Sequence, residues 1–231
     1  MEHPISIAIE TSGPSGGVAL GFGDVLHRCE TFPAQGRHAT QLIRHADDLL
    51  RAESLRPTDL EELYVSAGPG SFTGLRIGIT VARTLAQAVK GLNCVAVPTA
   101  YAVAERNMDM QWQHLAVLFE ARDELFHTTI FARRDEQPEA METPRVAKLS
   151  DVLAATPRPL LLVGTRLKPG DIDEKGISVA ETERAIPTAE GVWRAGRRLA
   201  REGAFVEPLK LLPIYARRPE AERLWEKRHG R

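Results

Sequence analysis

ISIAIETSGPSGGVALGFGDVLHRCETF, residues 5–32, decides the fold. Residues 5–10 form a short apolar run that reads as a strand. Residues 11–17, TSGPSGG, hold the turn formers Gly13, Pro14, Gly16 and Gly17. Residues 18–22 and 25–32 read as two further strands, separated by Gly23 and Asp24. The chain therefore opens on an antiparallel meander of three strands. Working outward, Ala39, Leu42, Ile43, Ala46, Leu49 and Leu50 fall on one arc, which predicts a helix over residues 38–51 with one buried face. Thr58 and Glu61 have capping-box spacing and predict a short helical turn. Residues 63–67 read as a strand, 68–73 as a Gly/Pro loop and 74–90 as a long helix stopped by Gly91. Residues 93–97 read as a strand, and Pro98-Thr99 opens a helix to about residue 107. The order β-β-β-α-β-α-β-α predicts a mixed sheet with helices on its faces. Beyond it, strands are expected over 115–119, 125–132 and 160–163, and loops around 138–144 and 157–159. A helix over 189–201 turns Val192, Trp193, Gly196, Leu199 and Ala200 inward.

The bulk properties bound the function. At 231 residues the chain can bury a core without staples. Hydrophobic residues make up 43% and charged residues 26%, ordinary for a soluble globular protein. A net charge of -1 gives no global pull on nucleic acid. Cys29 and Cys94 have neither zinc-type nor C-x-x-C spacing and read as reduced thiols. No apolar run reaches membrane length, and the N-terminus does not read as a signal peptide, so a cytoplasmic protein is expected.

Several motifs dissolve on inspection. Residues 13–17, GPSGG, match the G-x-S-x-G nucleophile elbow, but a strand follows where the elbow needs a helix. Gly68, Gly70 and Gly74 follow a strand and open a helix. Their spacing is G-x-G-x-x-x-G, and no acid closes the next strand, so they are not a dinucleotide fingerprint. No H-E-x-x-H and no G-K-[ST] occurs, and His38 and His45 read as a solvated helix face.

Three features keep two readings each. The loop over 68–74 is either a tight, closely packed connection or an anion cradle at a helix start. Thr11, Ser12, Gly68, Gly70 and Ser71 are then the candidate nucleotide or phosphate contacts. In the helix over 74–90, Arg76, Thr80, Arg83, Thr84, Gln87 and Lys90 occupy a polar arc of about 120°, and apolar residues cover about 200°. That helix is either packed between its own sheet and its own neighbouring helix or shared with a partner protein. Residues 216–231 carry six Lys/Arg and three Glu, a solvated basic tail or a contact for a partner or tRNA phosphate.

Four segments carry a family resemblance: ISIAIETSGPSGGVAL (5–20), AGPGSFTGLRIGITVARTLAQAV (67–89), VAVPTAYAVAE (95–105) and PIYARRPEAE (213–222). Together they resemble the TsaB/YeaZ family, densely over residues 5–105. Where relatives carry a G-D turn, this chain has Gly164-Thr165-Arg166. The resemblance implies an α/β fold of the actin/hexokinase/Hsp70 (ASKHA) type with duplicated ribonuclease-H-like lobes. Residues 1–107 would form the interface-bearing lobe and 108–231 a reduced second lobe with a basic tail. It implies a non-catalytic partner of the TsaD transferase, which places threonylcarbamoyl on adenosine in tRNA. TsaD carries an H-x-x-x-H metal pair, and the corresponding residues 99–103, TAYAV, hold no histidine, so neither a catalytic nor a metal site is expected. Further partners implied are a TsaE-like ATPase and, in the absence of TsaD, a second copy of the chain. Contact with tRNA would be indirect or weak. No cofactor is required by this chain itself, and ATP or ADP would belong at the complex interface. By resemblance the partner face comprises Leu75, Arg76, Ile79, Ala82, Arg83 and Ala86. The alternatives are an ATP-binding small-molecule kinase or ATPase of the same superfamily, and a peptidase, for which no nucleophile or metal motif is present.

Overall fold

The structure, a computed structural model, describes residues 3–33 and 38–215. The basic tail, residues 216–231, lies outside the described residues. The first half comprises β1 (Ile5–Glu10), β2 (Ser15–Phe22), β3 (Val25–Pro33), α1 (His38–Ala52), β4 (Glu62–Gly68), α2 (Phe72–Ala88), β5 (Asn93–Pro98) and α3 (Thr99–Arg106). The second comprises β6 (His114–Glu120), β7 (Leu125–Arg134), β8 (Gln137–Ala140), β9 (Arg145–Lys148), α4 (Leu149–Ala155), β10 (Leu160–Gly164), β11 (Ile177–Val179) and α5 (Ala189–Arg201).

The first sheet runs β3-β2-β1-β4-β5, antiparallel through the meander and parallel from β1 to β5. The second runs β8-β7-β6-β10-β11, with β9 also paired to β7. It repeats the same pattern, an antiparallel meander followed by parallel strands. This duplicated order is that of the actin/hexokinase/Hsp70 type. The second copy is the leaner one: no helix joins β10 to β11, where α2 joins β4 to β5 in the first. No described helix is long and apolar enough to cross a membrane.

Strand alternation sorts the core of the first sheet onto two faces. Ile7, Ile9, Val18, Leu20, Leu63 and Val65 pack with Leu42, Leu49 and Leu50 of α1 and with Ile79 and Ala82 of α2. Ala8, Ala19, Tyr64, Val95 and Val97 face the other way, against Val192, Trp193 and Ala195 of α5. Gly21 leaves room for the indole, since a Cβ there would lie 2.3 Å from the ring, and the indole Nε1 donates to Ser6 Oγ at 2.9 Å. Around it, Arg197 donates to Asp24 at 2.9 Å and to Glu62 at 3.2 Å, and Tyr64 donates its hydroxyl to Glu62. Conversely, Ala100, Val103 and Ala104 of α3 pack with Leu115, Val117 and Phe131 of the second sheet. A division at residue 107 thus separates the two sheets but not the packing. Residues 189–215 return to the first sheet, where Val206 N–H also donates to Cys94 O at 2.8 Å.

Several local expectations change. β2 begins at Ser15, so the first turn is shorter than residues 11–17. The helical turn after α1 spans Pro57–Asp59, and its cap is Asp59, which accepts from Arg56 N–H at 2.8 Å. Glu61 instead accepts from Ile5 N–H at 3.3 Å. α2 starts two residues early, at Phe72, because the Ser71 hydroxyl accepts from Gly74 N–H at 3.2 Å and caps it. Residues 138–144 are not simply loop, since β8 and the approach to β9 occupy them.

Truncating Trp193 to alanine removes the side chain that fills the α5 face and takes away the donor to the Ser6 hydroxyl, which keeps its own bond to Gly21 O at 3.3 Å. We expect a loss of about 3–5 kcal/mol in urea unfolding. The amides of β1 and β2 should also lose protection in hydrogen exchange, although Trp193 lies more than 170 residues away in the chain.

Candidate partner interface and the glycine loop

The loop between β4 and α2 sits on the turn that follows β1. Ser71 N–H donates to Ser12 O at 2.8 Å, and Thr11 Oγ1 donates to Gly74 O at 2.8 Å. A Cβ on Gly74 would lie 1.8 Å from Thr11 O, so only glycine admits this approach. Gly68 has φ +106°, and a Cβ there would lie 2.2 Å from Ile214 O, so its partner is the C-terminal backbone. Gly70 lies exposed over Ser12.

Glu10 completes the turn from below. It is 1% exposed, and its Oε1 accepts from Ser12 N–H, from Ser12 Oγ at 2.7 Å and from Gly13 N–H at 3.2 Å. Thr99 Oγ1 at the start of α3 donates to Ser12 Oγ at 3.2 Å. Every donor that a phosphate would need at Thr11 and Ser12 is thus consumed internally, and the three loop glycines are filled by this chain's own backbone. The structure brings Thr11, Ser12, Gly70 and Ser71 together, with the hydrogen-bonding groups of Thr11 and Ser12 engaged within the chain. Among the described residues, no three His, Cys, Asp or Glu side chains are grouped to hold a metal ion.

The partner residues expected on α2 divide. Leu75, Ile79 and Ala82 are 0%, 4% and 0% exposed and face the first sheet, so they belong to this chain's own core and not to a surface. The wide apolar arc is wide because the sheet, α1 and the C-terminal segment each cover part of it. Ala86 is half-buried. Arg83 is tied back, donating to Leu209 O at 2.7 Å. Of the six, Arg76 alone is freely exposed, and its guanidinium lies 5.3 Å from the Phe72 ring centroid.

The open face of α2 is shifted toward α1. Ala39, Phe72, Thr73, Arg76, Ile77, Thr80 and Val81 line a predominantly apolar groove of about 340 Å³ between the two helices. Phe72 at its wall is 41% exposed, and Ile43 on α1 is 57% exposed although it shares the apolar arc of that helix. Residue type alone marked Ile43 as buried, and it left Ile77 and Val81, which are half-buried against the first core, in an arc shared between this chain and a partner. Their place at the margin of each apolar arc was the available signal for a second, unfilled contact.

The sequence model of the family described as TsaD, tRNA N6-adenosine threonylcarbamoyltransferase, matches residues 33–167, more than half of the chain. The chain is 28% identical over 228 residues to the tRNA threonylcarbamoyladenosine biosynthesis protein TsaB of Bacillus subtilis (strain 168), covering 95% of this chain and 96% of that protein. It is 27% identical over 237 residues to the TsaB of Escherichia coli (strain K12), covering 97% and 98%. The chain belongs to the TsaB/YeaZ family. The solved structure of YeaZ from Pseudomonas aeruginosa shares the fold, with a TM-score of 0.73 at 23% identity, over 92% of this chain and 99% of that one.

Burial is the largest influence on the Glu10 carboxyl and pushes its pKa above the ordinary value, against the lowering effect of its Ser12 and Gly13 donors and of the nearby Ser66 hydroxyl. The folded state therefore holds the proton more tightly than the unfolded chain does. The stability this group contributes is full below the ordinary carboxyl pKa of 4.5 and is lost as pH rises above it. Glu10→Gln, which keeps one acceptor oxygen, should flatten that part of the stability profile. Urea midpoints at pH 5 and pH 8 should differ less in the variant than in the wild type.

Proposed function

We propose that this chain is the non-catalytic partner subunit that binds a TsaD-type transferase through the outer α1–α2 face and thereby supports threonylcarbamoylation of adenosine in tRNA. The names of the relatives in B. subtilis and E. coli support a place in threonylcarbamoyladenosine biosynthesis. The observation that carries the interface reading is the groove flanked by exposed Ile43 and Phe72. Two neighbouring helices that leave large apolar side chains in water along a shared groove are built to be covered. The accessory role is supported by residues 99–103, which hold no histidine where the transferase carries its metal pair. It is supported as well by the closed turn at Glu10, Thr11 and Ser12, which argues against a superfamily kinase working through this chain. In this reading a TsaE-like ATPase joins the pair, and any ATP or ADP belongs to the assembled interface. Two copies of the chain meet on the same face when the transferase is absent, and tRNA is contacted chiefly by the partner.

Size-exclusion chromatography with light scattering, using the TsaD-type protein of the same organism, tests the reading. Wild type should give a one-to-one complex. Ile77 lines the groove and its inner side also packs against the first core, so Ile77→Glu is compared with wild type only where its melting temperature shows it folded; it should then weaken binding by roughly tenfold or more. An undiminished complex in Ile77→Glu would move the interface elsewhere. ATP turnover by the chain alone would favour the kinase reading.

A further inference from the structure

Residues 209–215 form a strap along α2 on the side away from α1. Its two ends mark its course. Leu209 O accepts from Arg83 near the end of α2, and the Tyr215 ring lies 5.0 Å from the Phe72 ring at its start. The strap leaves a short helical turn at Pro208–Lys210 and then runs antiparallel to the helix, from the Arg83 end to the Phe72 end. It is anchored between its ends by Leu211, which is buried in the core of the first sheet, and by Ile214 N–H, which donates to Ala67 O at 2.6 Å. The close approach of Ile214 O to Gly68 fixes the same point.

With its backbone held in this way, the strap turns its other aliphatic side chains to water. Leu209 is 66% exposed, Leu212 65% and Ile214 40%. A segment that only had to cover α2 would turn such residues inward. Here one leucine is spent as an anchor and the rest face out along α2, with Leu209 at the Arg83 end and Ile214 next to Tyr215, which meets Phe72 of the α1–α2 groove. The polar ridge of Arg76, Thr80 and Gln87 thus lies between two apolar margins, the groove on one side and the strap on the other.

We propose that this strap is the second half of the partner interface, so that the TsaD-type subunit covers Leu209, Leu212 and Ile214 together with the outer face of α2. Arg83 is then a positioning residue that holds the strap in register and does not itself meet the partner. This inference rests on the interface reading of the preceding subsection and names further contacts for that same partner.

The test measures affinity for the TsaD-type protein by calorimetry on the full chain. Leu209 and Leu212 are exposed, so the double variant Leu209→Ser/Leu212→Ser should keep the wild-type melting temperature. Its binding should weaken by roughly tenfold or more. Arg83→Gln should weaken binding and speed amide exchange at Ile214, and Arg83→Lys should recover part of both. Wild-type affinity in the double variant, alongside loss of binding in Ile77→Glu, overturns the proposal and leaves the interface reading standing. Wild-type affinity in both overturns the two together. Unchanged exchange at Ile214 in Arg83→Gln overturns the positioning role.

Discussion

The first sheet depends on the contact between two backbone turns at the ends of β1 and β4. Thr11 and Ser12 give their donors and acceptors to Gly74 O, Ser71 N–H and Glu10, and the glycine loop closes over them with no side chain between. The contact sets where α2 begins, because Ser71 is both the partner of Ser12 and the cap of the helix. It also sets the direction of α3, whose first residue, Thr99, donates to the same serine. A buried carboxylate is costly. Three convergent donors on one oxygen of Glu10 offset much of that cost, while its Oε2 stays buried with no hydrogen-bond partner in the structure.

From this point outward the two faces of the sheet take different roles. One is covered by α1 and α2, whose outer sides are left for a neighbour. The other is sealed by α5, where Trp193 and Arg197 bind the meander to the last quarter of the chain. The polar cluster of Asp24, Glu62, Tyr64 and Arg197 is internally paired. Its value lies in orientation, since an arginine with two fixed carboxylates admits one placement of α5.

Much of this was legible in the sequence. Apolar runs set off by glycine and proline in residues 5–32 and periodicity in the first two long helices predicted the elements of the first half and their succession along the chain as parts of a mixed sheet, while the place of β4 beside β1 was not legible. The inward set expected for the helix over 189–201 also matches, with Val192, Trp193 and Ala200 buried. The destination of that helix was not legible, since an apolar stripe does not say which sheet it meets. β8, β9 and β11 escaped notice because they are three or four residues long, too short for a period to register. In the α2 face, the pattern identified an unusually wide apolar arc but could not divide it between the sheet, α1 and the strap. Leu75 and Ile79 consequently read as surface when they are core. The glycines at 68, 70 and 74 signalled close approach correctly. What approaches is Ile214 and the Thr11–Ser12 backbone, and local sequence carries no mark of a contact some 140 residues distant.

The exchange of α3 and α5 between the sheets bears on how the molecule is made. As the chain emerges from the ribosome, all five strands of the first sheet are available by residue 98, yet the alanine-lined face that receives Trp193 stays uncovered for about a hundred residues more. Contacts of such separation in sequence slow folding, because the intervening chain must be closed before they form. The last quarter of the chain is therefore what completes the first lobe. A nascent chain lacking it holds a sheet with one face open to water, the state most in need of protection from aggregation.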